Sequence, residues 1–222
     1  MRTVAVIALK GGSGKTTVAT HLVLAAHLRG HPTLLVDIDP QRSARDVLGA
    51  RETPGPACVA TTAAKLLNIQ FRAQAELTGL LVIDTPAASL ETLSEAIVLA
   101  ELAVMVVRPT LLDLAGLART LGVVRKLNKP SVVFLNQAPV AREGAEAPLV
   151  RRALRALDYM EAPTAPVILR ARAVYQTALE RGRSAEELGD KAAAKEIAAL
   201  WDFISDRLDL PPGAAPQVRA PL

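Results

Sequence analysis

Residues 10–17 read Lys10-Gly11-Gly12-Ser13-Gly14-Lys15-Thr16-Thr17, a run whose residue types suit the capture of a polyphosphate. Gly11, Gly12 and Gly14 let the backbone close around phosphate oxygens where a Cβ would hold the chain away. Backbone N–H groups of such a turn, with those of a helix starting just behind it, face the anion. Ser13 and Thr17 belong to the same run and count among the nucleotide-contacting candidates. Lys15 is spaced to reach the β- and γ-phosphates, and the Thr16 hydroxyl to ligate Mg²⁺. The common form of this loop has a glycine where this chain has Leu9, and here a second lysine, Lys10, precedes the glycines. Carboxylates complete the chemistry. Asp84 follows the apolar run Leu80-Leu81-Val82-Ile83, a position from which a carboxylate holds Mg²⁺ through water or through Thr16. Asp37 and Asp39 close a second apolar run and precede Pro40 and Gln41, an acidic strand end of the kind that borders ligand sites in parallel sheets. Asn136 follows a third such run, where a side-chain amide can read an adenine edge by donating and accepting together.

Strands must end at each of these groups, and helices must return the chain. Val4, Val6 and Ile7 mark the first strand, and residues 15–29 a helix that Gly30 ends. A strand over 33–39 and a short helix over 42–49 follow. Pro54-Gly55-Pro56 then turns the chain into a strand at 57–61 and a helix at 62–75. After the strand that ends at Asp84, the pattern predicts helix 89–100, strand 102–107, helix 112–127, strand 131–135, amphipathic helix 147–158 and strand 166–169. A last helix, 190–208, has Ala194, Ile197, Leu200, Trp201 and Ile204 on one face. This alternation predicts an α/β fold of the P-loop NTPase type: a mostly parallel sheet with helices on both faces. Residues 1–208 form one domain; 209–222, with Pro211, Pro212, Pro216 and Pro221, read as a disordered tail.

The totals narrow the class. Of 222 residues, 50% are apolar but only 3% aromatic, so the core is aliphatic. The one cysteine, Cys58, excludes an intrachain disulfide framework and a Cys-only metal cage, and reads as core filler. With no N-terminal signal and no apolar run long enough to span a bilayer, a soluble cytoplasmic protein is expected. His21 and His27 are not spaced as a helical ligand pair.

The loop K-G-G-S-G-K-T-T resembles the deviant Walker A box of the ParA/MinD group of P-loop ATPases. D-x-D-P-Q at Asp37–Gln41 and the strand-end Asp84 follow in that group's order. The likeness extends over roughly 1–208 and is closest to the short, ParF-like partition proteins, to which the runs R-A-V-Y-Q-T-A-L-E-R-G and A-A-A-K-E-I are also similar. The resemblance implies that Lys10 crosses a dimer interface to the other subunit's nucleotide, making Lys10, Lys15 and Asp39 the catalytic set. Asp39 would orient the attacking water and Asp37 support the Mg²⁺ shell held by Thr16 and Asp84. It also supports Asn136 at the adenine, and matches Pro109 and Asp113 to a P-x-x-x-D feature near the dimer face. Ala87 departs from the family's paired prolines, which bears only on the shape of the loop after Asp84. The implied cycle is a homodimer formed with ATP and Mg²⁺ that binds duplex DNA without sequence preference, on the nucleoid. A ParB-like adaptor triggers slow hydrolysis and release, and a plasmid, chromosome or protein cluster is positioned.

Charge is segregated in a way that fits a DNA surface. Residues 111–183 hold twelve Lys/Arg against six acids, an excess of +6 in a chain of net charge +4. Few aromatics disfavour base stacking and favour phosphate contacts; Arg151, Arg152, Arg155, Arg170 and Arg172 are the expected contacts. The alternative is a MinD-like membrane-cycling ATPase, which needs a basic amphipathic C-terminal helix. The last helix instead mixes Lys191, Lys195 and Arg207 with Asp190, Glu196, Asp202 and Asp206, so no membrane partner is expected.

Overall fold

Alternation along the first strand, β1 (Arg2–Ile7), sorts the core into two layers. Val4 and Val6 point into one apolar cluster, Ala5 and Ile7 into the other, all fully buried. The computed structural model describes residues 1–87 and 89–213. Six more strands join β1: β2 (Thr33–Asp37), β3 (Ala57–Ala60), β4 (Leu80–Asp84), β5 (Leu102–Val107), β6 (Ser131–Ala138) and β7 (Thr164–Arg170). Every pairing is parallel, in the order β3-β2-β4-β1-β5-β6-β7. Helices cover both faces, because strands buried on two sides are stable only when both are roofed.

One face is roofed by α1 (Lys15–Leu28), α2 (Ser43–Gly49), α7 (Ala173–Leu179) and α8 (Lys191–Arg207), the other by α3 (Leu66–Ala75), α4 (Leu90–Leu99), α5 (Leu111–Lys126) and α6 (Pro148–Tyr159). α1 is buried nearly all round between the sheet and α8, so its sequence is apolar on most sides instead of one. α8 starts at Asp190, whose carboxylate accepts from Ala192 and Ala193 N–H at 3.0 Å, and buries Ala193, Ile197, Leu200, Trp201 and Ile204. Ala193, not Ala194, takes the inward position. Leu208 is buried and Leu210 packs on the same cluster, so ordered packing continues past residue 208. Residues 214–222 of the expected tail, with Pro216 and Pro221, lie outside the described residues. Cys58 packs against the first cluster, and burial pushes its thiol up to about 12, as fits inert filler. Among the described residues no helix is long and apolar enough to cross a membrane.

The elements depart from the sequence reading at identifiable places. The expected helix 62–75 is a 3₁₀ turn, Ala63–Lys65, leading into α3. The strand expected over 33–39 stops at Asp37, whose carboxylate accepts the Asp39 N–H and turns the chain. β6 runs on to Ala138, placing Asn136 inside a strand. The short helix α7 and a 3₁₀ turn at Ala185–Leu188 were not foreseen.

Candidate nucleotide site

Parallel register brings the chemical residues to one sheet edge. Val6 is paired with Asp84, and Asp37 with Asp84, so the ends of β1, β2 and β4 open side by side. Beyond β1 the chain loops through residues 8–14 and enters α1 at Lys15. Gly14 stands at φ +91°, and a Cβ there would collide with Asn136 Nδ2, so both backbone and space demand glycine. The loop is braced from β6: Asn136 Nδ2 donates to the Ser13 carbonyl at 2.8 Å and Gln137 Nε2 to the Gly12 carbonyl at 3.0 Å. With these carbonyls held outward, the loop's amides are left for an anion. Ser13 Oγ is buried without a hydrogen-bond partner among the described residues.

Lys15 is buried, and burial lowers its pKa despite the opposing pull of Asp84 and Asp39. Thr16 Oγ1 donates to Asp84 Oδ2 at 2.8 Å. Asp84 is wholly buried and its Oδ1 has no partner among the described residues. Burial foremost, opposed by the Thr16 bond and reinforced by Asp37, pushes its carboxyl up to about 7. An orphaned carboxylate oxygen next to a hydroxyl and a second acid fits a divalent cation, whose charge would reverse that shift. Among the described residues no three His, Cys, Asp or Glu side chains converge as a metal cage. Mg²⁺ takes one or two protein ligands and completes its shell with water and phosphate.

Asp37 has both oxygens engaged, Oδ1 by Asp39 N–H at 3.0 Å and Oδ2 by Arg45 N–H at 3.1 Å, so it shapes the loop between β2 and α2. Burial raises its pKa against those two bonds. Asp39 is half-buried; Oδ1 accepts Gln41 N–H at 2.9 Å, and Oδ2 has no hydrogen bond among the described residues. It borders a cleft of about 670 Å³ that Thr61, Pro86 and Thr92 also line. Lys10 is exposed, its stem lying over α5 at Gly116, where an added Cβ would sit 3.5 Å from Lys10 Cγ.

A cavity of about 270 Å³ on the other side of the loop is lined by Thr17, Asn136, Gln137, Arg170, Arg172 and Tyr175. Here the structure redistributes the expected arginines. Arg170 is forked onto Glu146, with Nη1–Oε2 at 2.7 Å, and also donates to the Pro139 carbonyl. Arg172 donates from Nε and Nη2 to Glu196 Oε1 at 2.9 and 2.7 Å. Glu196 Oε2 takes the Tyr175 hydroxyl at 2.7 Å and the Arg170 N–H at 2.9 Å. Both guanidinium groups are therefore committed to partners within the chain, beside the cavity. Arg151, Arg152 and Arg155 instead stand exposed on α6.

Several residues of the site escaped sequence reasoning. Gln137 adjoins Asn136 but has φ +52°, which no pattern announces. Glu196 sits mid-helix, 24 residues from Arg172. Arg108 was legible by the strand-end rule that singles out Asp39 and Asp84: it follows β5 directly and forks onto Asp113, with Nε–Oδ2 at 2.7 Å and Nη2–Oδ1 at 3.1 Å.

Comparison with known proteins agrees with this geometry. The family model described as the CobQ/CobB/MinD/ParA nucleotide-binding domain matches residues 4–194. The maintenance of carboxysome distribution protein A of Halothiobacillus neapolitanus is 27% identical over 201 residues, covering 88% of this chain and 92% of that one. A putative replication protein A of Sinorhizobium fredii is 49% identical over 49 residues; the match spans 22% of this chain and 12% of that protein. The fold superposes on the ATP complex of Cyanothece McdA with a TM-score of 0.77 at 18% identity, covering 97% of this chain and 99% of that one. With the glycine loop, its paired lysines and the strand-end acids in one parallel sheet, and a family model matching most of its length, the chain belongs to the CobQ/CobB/MinD/ParA nucleotide-binding family, as a ParA/MinD-type ATPase of the deviant Walker A kind.

Proposed function

We propose that this chain is a slow, Mg²⁺-dependent ATPase switch that dimerises with ATP, binds duplex DNA without sequence preference, and positions a cargo under control of a ParB-like adaptor. The observation that carries the reading is the division of labour between two lysines of one loop. Lys15 is buried beside Asp84, whereas Lys10 is exposed and makes no ion pair among the described residues. A cation so placed is available to phosphates on a second copy of the chain.

Bound Mg²⁺–ATP supplies the phosphoanhydride to be cleaved and the charge that the buried acids attract. The chain's own residues position and neutralise. Loop amides and Lys15 bind the phosphates, Thr16 and Asp84 hold the metal, and Asp37 sets the loop that presents Asp39. Asp39, with a free oxygen at the cleft, accepts a hydrogen bond from water and orients it. The base lies in the cavity at Asn136, beside the loop. None of these groups is a strong general base, which supports slow turnover and a partner that accelerates it.

For the output, DNA is favoured over a membrane because the apolar face of α8 is spent on the core and is not available to lie on a bilayer. The exposed Arg151, Arg152 and Arg155 on α6 carry the proposed DNA contact, doubled in a dimer. Arg170 and Arg172 support the fold around the cavity, and reach DNA only by giving up their carboxylates. Likeness over 88% of this chain to a protein named for carboxysome distribution supports a positioned cargo. The test is retention of random duplex DNA with ATP across a salt series. Replacing Arg151, Arg152 and Arg155 by glutamate should abolish binding, and parent affinity should fall about 10-fold or more between 50 and 200 mM salt, as loss of several phosphate contacts requires. A triple variant with parent affinity at every salt concentration would place the DNA surface elsewhere.

A further inference from the structure

Arg108 leaves β5 next to the loop that leaves β1, because those two strands are neighbours. Its guanidinium is aimed. Nε and Nη2 fork onto Asp113, and the Arg108 N–H donates to the same carboxylate at 3.2 Å. Asp113 is itself fixed, its side chain 3% exposed and its N–H donating to the Thr110 hydroxyl at the start of α5. Burial works against the Asp113 charge, but the Arg108 bonds outweigh it and hold the carboxyl below the ordinary aspartate range. So held, the guanidinium lies on the glycines: Nη2 is 3.5 Å from the Gly11 carbonyl, and Nη1 3.6 Å from where a Cβ on Gly12 would be. Nη1 makes no hydrogen bond among the described residues.

The loop has a base end and a hydrolysis end. Thr17 and Asn136 line the cavity at the first. Gly11 belongs to the second: a Cβ there would lie 3.9 Å from Ala87 Cβ, on the segment that follows Asp84. A planar cation with one free edge, at the hydrolysis end of a phosphate loop, has one evident ligand. We propose that Arg108 is a phosphate-binding arginine acting within its own subunit, its Nη1 donating to the terminal phosphate of bound ATP while Asp113 fixes the guanidinium plane. The proposal rests on the nucleotide site described above and adds to it an arginine that senses whether the γ-phosphate is present.

The experiment compares binding of ADP and of the slowly cleaved analogue AMPPNP, each with Mg²⁺, to the parent, Arg108→Ala, Arg108→Lys and Lys15→Ala chains by titration calorimetry. A hydrogen bond to a charged group is worth about 1.5–3 kcal/mol, so Arg108→Ala should bind AMPPNP about 10- to 100-fold more weakly while holding ADP within about 2-fold. Arg108→Lys should recover part of the loss, since the charge remains but the fork to Asp113 does not. Equal weakening of ADP and AMPPNP would make Arg108 a brace of the loop and overturn the proposal, as would unchanged affinity for both. Parent-like binding of both nucleotides by Lys15→Ala would remove the site itself, an outcome distinct from failure of Arg108 alone.

Discussion

Glu196→Ala tests whether the arginines beside the cavity are structural. One carboxylate accepts four hydrogen bonds, from Arg172 Nε and Nη2, the Tyr175 hydroxyl and the Arg170 N–H, all between 2.7 and 2.9 Å. Its removal strands a guanidinium that is 23% exposed and a tyrosine that is 5% exposed. Bonds to a charged group are worth about 1.5–3 kcal/mol, and a partly exposed arginine regains water, so a net loss of about 2–3 kcal/mol is expected instead of the sum of four bonds. At about 2–4 °C per kcal/mol for a domain of this size, the melting temperature should fall by roughly 5–10 °C. The urea midpoint should fall with it while the slope stays constant, because no additional surface is exposed. Glu196→Gln, which keeps an acceptor but adds a donor, should fall in between. Melting of Glu196→Ala within about 1 °C of the parent would refute the reasoning, since even the smallest of these bonds is worth more. A measured loss would also mean that glutamate at Arg172, placed against Glu196, unfolds this corner, so weakened DNA binding by such a variant says nothing about DNA contact.

Two further outcomes follow from burial and space. His21 is fully buried, with Nδ1 on the Thr17 carbonyl, Nε2 without a partner among the described residues and Tyr175 edge-on to the ring, and burial takes its pKa down to about 4. The unfolded chain therefore binds this proton first: the stability is present above about pH 6.5 and is lost as pH falls from there towards 4, at up to about 1.4 kcal/mol per unit. His21→Leu should flatten that part of a stability–pH curve measured by urea unfolding, and an unchanged slope would assign it to other groups. Gly116 lies within α5 with room for a methyl in ordinary contact with Lys10 Cγ and Leu9 Cβ, so Gly116→Ala should raise stability by about 0.5–1 kcal/mol. A lowered urea midpoint would show that the contact between Lys10 and α5 is tighter than it looks.

The parts of the site legible in the sequence are those that lie next to one another along it. The loop 10–17, Asp37, Asp39 and Asp84 each end an apolar run, and parallel pairing then brings the run ends together without further information. The two-faced sheet was equally legible, since the central strands β1, β4 and β5 are apolar on both sides. What could not be read depends on partners distant in sequence. Arg170 and Arg172 look like free cations until the chain folds, when Glu146, just before α6, and Glu196, on α8, each 24 residues away, take them. The strand-end position of Asn136 suggests a base contact, but nothing near it in sequence announces that its Nδ2 braces Ser13, a contact across 123 residues. α7 is seven residues long, too short for a helical period to declare itself. The turn at Ala185–Leu188 does carry a local signal: Ser184 and Glu187 form a capping box, the S-x-x-E pattern.

The central claim is that ATP turns this chain from monomer into dimer through Lys10. Sedimentation velocity of the Asp39→Ala variant, with ATP and Mg²⁺ to hold the uncleaved state, tests it directly. A species of two 23.4 kDa chains is predicted with ATP, a single chain with ADP or without nucleotide, and a weakened dimer when Lys10→Ala is added. A 23.4 kDa monomer with saturating ATP, in a variant shown to bind it, would contradict the account.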